Sequence, residues 1–175
     1  MAGRPETSEY VPYFQRYVTL VQGEDIVDIL SRQVERSIAT LRSVSEEKSL
    51  KRYDADKWSM REVLGHLIDT ERIFAYRALR FARHDQSQLC GFEPSDYVAK
   101  AAYDERSWVG LLSEFEHMRR SHVLMFAGFD AAAWRRSGTA GGETMSVRAL
   151  AFNIAGHELH HIELLRTKYQ PGFGW

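Results

Sequence analysis

The sequence is poor in cysteine and lacks any long hydrophobic run. Cys90 is the only cysteine, so no disulfide can form within the chain and a reducing, cytoplasmic environment is expected. No apolar stretch approaches the roughly 20 residues that a membrane-spanning helix needs. The first residues also lack the apolar core of a signal peptide. We therefore expect a protein without a membrane partner.

Charge of either sign is not in excess. The formal net charge is −1, so there is no basic excess to indicate nucleic-acid binding and no acidic excess to indicate disorder. A length of 175 residues suits one domain that buries a core without disulfides or a structural metal. We expect a single domain over residues 1–175, in which residues 1–22 form an N-terminal extension.

Proline is also scarce, and its four occurrences leave long tracts free to form helix. Apolar residues recur at helical spacing in four of these tracts. Ser59 and Glu62 have the spacing of a capping box, and Ser146 is a favourable N-cap. The predicted helices cover residues 24–42, 59–83, 104–126 and 146–169, and Gln170-Pro171-Gly172 is expected to end the last of them.

The segments between these helices predict loops. Residues 84–98 contain turn residues without a period, and residues 137–144 are rich in glycine. The best strand candidate, residues 17–21, is short and isolated. The sequence therefore predicts an all-α four-helix bundle with longer loops between helices 2 and 3 and between helices 3 and 4.

Two histidines share the apolar face of the last predicted helix. His157 and His161 lie one turn apart on the arc that carries Leu150, Ile154 and Leu165. Buried imidazoles need polar partners, and ligands at i and i+4 on a helix converge on one metal ion. The alternative is a pair of core histidines bonded to the backbone. Taking His160 in place of His161 as the partner of His157 gives a second possible pair.

The same stretch formally matches the H-E-x-x-H motif of zinc proteases. The extended form of that motif needs glycine at 164 and histidine at 167, where this chain has Leu164 and Thr167. No acidic residue follows Glu163 to supply a downstream ligand. The protease interpretation is therefore rejected. Glu158, about 100° from His157 on the helical wheel, is expected at the surface.

A third ligand has to come from upstream, and His66 is the best candidate because it lies within the strongest predicted helix. Gly65 and Gly156 each precede a candidate ligand. A glycine inside a helix costs about 0.5–1 kcal/mol relative to alanine. The two glycines therefore predict a close approach of helices at the site, for which tight packing without an ion is the alternative. The other upstream histidines are expected in polar or structural positions: His84, His117 and His122.

Asp69, three residues after His66, is the candidate catalytic residue. It would orient a ligand histidine or accept a proton. The alternative is an exposed acid paired with Arg72 or Arg61. No neighbour in sequence marks Cys90 as an activated nucleophile. Three further side chains of the second helix are expected either to line a pocket or to pack: Tyr76, Arg77 and Arg80.

At residues 57–83 and 146–169, and in the loop GFEPSDYV (91–98), the sequence resembles the DinB/YfiT-like superfamily of metal-binding helical bundles. The resemblance implies a metal site of three histidines, one from the second helix and an H-x-x-x-H pair from the fourth. These correspond to His66, His157 and His161. It further implies zinc or nickel, a homodimer, and in several relatives a low-molecular-weight thiol as co-substrate.

Such a site favours metal-dependent chemistry. Three neutral imidazoles leave a divalent ion its full charge, which lowers the pKa of a bound water or thiol. We therefore expect a metal-dependent enzyme, a thiol S-transferase or a hydrolase, acting on a small molecule. One alternative is a non-catalytic binding or stress-response module that the metal stabilises. Another is a metal-free helical protein whose main property is dimerisation.

Overall fold

The computed structural model describes residues 2–169 and is mainly helical. Among these residues, four long helices correspond to the four predicted ones, and shorter helices lie between them. No helix in the described range is long and apolar enough to cross a membrane. In chain order the helices are α1 (Gln15–Val18), α2 (Ile26–Leu41), α3 (Glu46–Ser49), α4 (Met60–Ala82), α5 (Pro94–Ala101), α6 (Trp108–Ala127), α7 (Ala131–Arg135) and α8 (Val147–Leu164).

The four long helices form a bundle in which α4 packs on α8 and α6, and α2 packs on α6 and α8. The predicted capping box is present: the Ser59 hydroxyl accepts a bond from the Glu62 amide, and the Glu62 carboxylate accepts one from the Ser59 amide. Ser146 caps α8 through the Ala149 amide, also as predicted. After α8 the chain continues as a π-helical turn, Leu165–Tyr169. The predicted stop at residues 170–172 lies outside the described residues.

The prediction of a loop at residues 137–144 is wrong. Strand β1 (Ser137–Ala140) pairs antiparallel with β2 (Glu143–Ser146) in a hairpin. Gly141 and Gly142 form its turn with φ of 60° and 81°. Positive φ at both turn residues matches the right-handed twist of a hairpin, and glycine adopts it without steric penalty. The hairpin contributes Ala140, Gly141 and Glu143 to the wall of the cavity described below.

One other local prediction also needs correction. The loop predicted at residues 84–98 contains the start of α5, with Glu93 as N-cap and Pro94 in the first turn. The isolated segment at residues 17–21, which the sequence did not support as a strand, includes the end of α1. Three-residue 3₁₀ turns complete the described elements at Thr7–Glu9, Pro12–Phe14 and Tyr103–Glu105.

The core consists of two apolar clusters. One lies around Phe81, Phe126 and Phe152, and the other around Leu64, Trp108 and Phe115. The N-terminal segment (residues 2–24) contributes to the first cluster and is therefore packed on the bundle. Its buried members there are Tyr10, Val18 and Val21.

Candidate metal centre and cavity

The side chains of His66, His157 and His161 meet inside the bundle. One ring nitrogen from each lies within 4.8 Å of the others, and all three residues are buried. The Nε2 atoms of His66 and His157 are 3.0 Å apart, and those of His157 and His161 are 3.1 Å apart. Nitrogen ligands of a tetrahedral zinc ion are separated by about 3.3 Å. The three residues predicted as ligands therefore converge at nearly the spacing that one ion requires.

The chemistry of this donor set fits a cation. A neutral imidazole carries one N–H group and one lone pair. Nε2 of His157 faces two other Nε2 atoms, and in either tautomer it can form a good hydrogen bond to only one of them. A metal ion accepts all three lone pairs at once. The Nδ1 atom of His161 is buried and has no hydrogen-bond partner among residues 2–169.

All three imidazoles are held neutral. Burial lowers the pKa of His66 to about 4. Burial, reinforced by His66 and His160, lowers the pKa of His161 to about 3. Burial, reinforced by His161 and His66, holds the pKa of His157 well below its usual range. A deprotonated nitrogen is the form that binds a metal, so these residues are ready for ligation at neutral pH.

Helix α4 orients His66. The Thr70 hydroxyl, one turn further along, is 3.3 Å from Nδ1 of His66 and can hold the tautomer in which Nε2 is free. The Trp58 ring lies against the imidazole, with centroids 5.0 Å apart. Gly65 faces the ring of Tyr103, to which an added Cβ would approach within 2.4 Å. A close approach beside His66 is confirmed, although its partner is an aromatic side chain and not a helix.

The N-terminal segment covers the other side of the centre. A Cβ at Gly156 would lie 2.0 Å from the carbonyl oxygen of Tyr17, so the backbone of α1 rests directly on α8. The Tyr17 ring contacts His157 and His160 edge to face, with centroid distances of 5.2 and 5.6 Å. Gly156 therefore lets a segment outside the bundle approach the metal centre.

The three histidines lie in the wall of a cavity of about 530 Å³. Its walls come from the N-terminal segment, from α4, from residues 91–95, from the hairpin and from α8. Pockets of about 300–1,000 Å³ are typical of small-molecule sites. Apolar walls are provided by aromatic residues, including Phe14, Trp58, Phe74 and Phe92.

Two polar side chains of this cavity have unusual surroundings. Arg77, a candidate pocket residue from the sequence, is 8% exposed and lines the cavity. Asn153 is 0% exposed, and neither its Oδ1 nor its Nδ2 has a hydrogen-bond partner within the described range. Sequence reasoning missed Asn153. Its position one turn before His157, in the otherwise apolar run of residues 149–155, was the signal in the sequence.

Asp69 is not among the residues that line the cavity. Its carboxylate accepts a 2.5 Å hydrogen bond from the Tyr103 hydroxyl. The alternative partners that the sequence offered are engaged elsewhere, because Arg72 pairs with Glu114 and Arg61 with Glu46. The catalytic role of Asp69 stays a prediction.

The other candidate residues lie outside the cavity. Tyr76 is exposed and accepts a hydrogen bond from Arg80, which also pairs with Asp85. Cys90 is exposed, and its carbonyl oxygen accepts a bond of 2.9 Å from Arg77. Of Tyr76, Arg77, Arg80 and Cys90, only Arg77 is among the residues that line the cavity.

The remaining histidines do not join the metal cluster of the described residues. His160 is exposed and lines the cavity beside His161. His117 is exposed, as predicted. His84 follows α4 with φ of 60°, and His122 lies 3.0 Å from a carboxylate oxygen of Glu71.

The prediction that Glu158 lies at the surface is wrong. Glu158 is buried and accepts bonds of 2.5 Å from Ser37 and from Arg119. Arg119 also binds both carboxylate oxygens of Glu71, each at 2.7 Å. Burial alone would raise the pKa of Glu71, but Arg119 and His122 lower it. This buried ionic network joins α2, α4, α6 and α8 behind the metal centre.

Comparison with known proteins identifies a family and a solved structure of similar fold. The profile of the DinB superfamily matches residues 25–165. The fold is similar to that of YfiT from Bacillus subtilis, described as "a probable metal-dependent hydrolase with an unusual four-helix bundle topology". The TM-score is 0.70 at 15% identity, over 81% of this chain and 85% of that one. A search of curated proteins found no significant match. The likeness to YfiT supports the predicted four-helix bundle, and the family match shows that this chain belongs to the DinB superfamily.

Proposed function

We propose that this protein is a divalent-metal-dependent enzyme that acts on a small molecule, as a hydrolase or as an S-transferase using a low-molecular-weight thiol. The observation that carries the proposal is the convergence of three buried, neutral imidazoles in the wall of a 530 Å³ cavity. His66, His157 and His161 would hold the ion, zinc or nickel. An ion held by neutral ligands supplies Lewis-acid activation of a water or a thiol. The description of YfiT as a metal-dependent hydrolase supports the hydrolase form.

Other residues of the chain position the ligand histidines and shape the cavity in this proposal. Thr70 orients His66, and Tyr17 packs on His157. The aromatic walls exclude water around a bound molecule, which strengthens polar interactions there. We also propose a cytoplasmic location, because the single cysteine is exposed and free. A homodimeric assembly is part of the same proposal.

Metal content is the first test. After supplementation with zinc or nickel and dialysis, elemental analysis is expected to find about one ion per chain, as in sites with three protein ligands. His161→Ala is expected to lose most of this ion, because two imidazoles remain. His117→Ala, which changes an exposed histidine, is the matched control and should retain the wild-type content. A wild-type protein without bound ion after supplementation would overturn the enzyme proposal.

A metal-stabilised module without turnover is the second candidate, because the ion would link α4 to α8. Melting before and after chelation separates the two. A structural ion adds folding free energy, so its removal lowers the melting temperature strongly. For the enzyme we expect chelation to lower the melting temperature only slightly, because the two apolar clusters and the ionic network do not include the ion. A large loss of thermal stability on chelation would favour the module.

Asp69 requires a separate test. Since its carboxylate binds the Tyr103 hydroxyl and the Tyr103 ring covers Gly65, we propose that Asp69 acts on His66 as a positioning residue. Loss of such support typically weakens metal binding by about 10–100-fold. Asp69→Ala and Tyr103→Phe are expected to lower zinc affinity to a similar extent, measured by competition with a chelating dye. Wild-type affinity in both variants would contradict a positioning role.

A further inference from the structure

The unpartnered amide of Asn153 points to a ligand. Asn153 is 0% exposed and lines the cavity, and its Oδ1 and Nδ2 atoms lack partners throughout residues 2–169. A buried primary amide without hydrogen bonds is unfavourable, and each such group in a native protein needs an explanation. A molecule that offers both a donor and an acceptor to this amide removes the penalty.

Arg77 is the second polar group of the cavity. Within the described part of the chain Arg77 donates one hydrogen bond, to the Cys90 carbonyl oxygen, and Glu143 only partly opposes the lowering of its pKa by burial. The guanidinium is placed between two rings, 5.5 Å from the centroid of Phe74 and 5.6 Å from that of Phe92. A largely buried cation whose guanidinium is not bonded to a carboxylate attracts an anion, and guanidinium geometry suits a carboxylate.

The two groups line the same cavity as the three histidines. His66, Thr70, Phe74 and Arg77 follow one face of α4 and all line the cavity. At 1.5 Å per residue, the Cα atoms of His66 and Arg77 are about 16 Å apart along the helix, and the long Arg77 side chain leans back toward the N-terminal end of α4. Asn153 lies one turn from His157, about 6 Å along α8. A small molecule bound in this cavity can therefore lie beside both polar side chains and the histidines.

We propose that Asn153 and Arg77 bind the amide and the carboxylate of an N-acylated amino acid or a similarly sized amido acid. The inference rests on the proposed function only in so far as the three histidines line the same cavity. A carboxylate is favoured over a phosphate because Glu93 and Glu143 also line the cavity and repel a doubly charged anion. The aromatic walls suit an apolar side chain on the ligand.

Calorimetric titration with N-acetyl-L-phenylalanine tests the inference, with and without added zinc. We expect binding to the wild type and a loss of about tenfold or more in Arg77→Met, because a charge-assisted contact disappears. The methyl ester of the same compound should bind weakly in all cases, and Arg77→Lys should bind with intermediate affinity. Arg80→Met, an arginine on the same helix outside the cavity, is the control and should bind as the wild type does.

Asn153→Leu separates recognition from folding. Leucine has nearly the same volume and no polar atoms, so we expect an unchanged or higher melting temperature together with about tenfold weaker binding. Wild-type affinity in Asn153→Leu or in Arg77→Met would overturn the inference. Equal binding of acid and ester, or tighter binding of inorganic phosphate, would also do so.

The outcome for the metal is independent of this titration. If the protein carries its ion and binds no N-acetyl-L-phenylalanine with or without zinc, the recognition inference fails and the proposed metal-dependent function stands. If the amido acid binds in the expected pattern and no ion is retained, the proposed function fails and the recognition site stands.

Discussion

Replacing Arg119 with methionine is expected to lower the free energy of unfolding by about 3–5 kcal/mol, the usual effect of removing one partner of a buried ion pair. Arg119 is 1% exposed and is bonded to both Glu71 and Glu158. Methionine retains much of the apolar contact but leaves two buried carboxylates without their cation. Urea denaturation of both proteins at pH 7 measures the loss.

The neighbouring arginine provides a matched control. The Arg120 side chain is 49% exposed and pairs with Glu116 one turn earlier on the same helix. An exposed pair of this kind contributes about 0–1 kcal/mol, so Arg120→Met should be close to the wild type. Equal stability of the two variants would show that the network around Arg119 does not stabilise the fold.

The effect of Arg119→Met should also depend on pH. In the native protein the pKa of Glu71 is lowered, and a group of this kind contributes stability above its unfolded pKa of about 4.3 and loses it as pH falls. Without Arg119 the burial of Glu71 dominates, its folded pKa rises, and the variant loses stability as pH rises. The difference between the two proteins should therefore be larger at pH 7 than at pH 5. A difference independent of pH would contradict this explanation.

Gly156→Ala is expected to destabilise the protein by about 3 kcal/mol, the upper part of the usual range for overpacking. The new Cβ would lie 2.0 Å from the oxygen and 2.4 Å from the carbon of the Tyr17 carbonyl, and backbone atoms yield only if α1 moves. The gain in helix propensity, about 1 kcal/mol, is smaller than this cost. Thermal melting measures the stability, and limited proteolysis detects release of the N-terminal segment.

Gly128→Ala is the control for this substitution. Gly128 ends α6, and the nearest atom to an added Cβ is 3.5 Å away, at ordinary contact distance. Its backbone has φ of −80°, which alanine adopts freely. We expect a change within about 1 kcal/mol, toward higher stability. If Gly156→Ala proved as stable as Gly128→Ala, the close approach of α1 to α8 would be disproved.

The local features of this fold were predictable because they depend on short-range periodicity. The Ser59–Glu62 capping box and the shared face of His157 and His161 follow from helical spacing alone. His66 lies 91 residues before His157, and its choice as third ligand depended on its position within a strong helix and on the family resemblance. These features are the ones that the structure reproduces.

Other features depend on contacts that no local pattern contains. Glu158 has the spacing of a surface residue, but it pairs with Arg119, which lies on another helix and is 39 residues away in sequence. Gly156 itself predicted a close approach, but no local pattern identified Tyr17 as the residue that makes it. The hairpin was different, because Gly141-Gly142 is a recognised turn signal. Its strands of four residues each were too short to show an alternating pattern.

The packing of the N-terminal segment has a consequence for how this protein can diversify. The family match begins at residue 25, yet Tyr13, Phe14 and Tyr17 form one wall of the cavity. Substitutions in this short segment would change the shape of the cavity and leave unchanged the sequences of α4 and α8, which carry the three imidazoles. The three histidines thus lie in the part of the chain that the family profile covers, whereas one wall of their cavity comes from outside it.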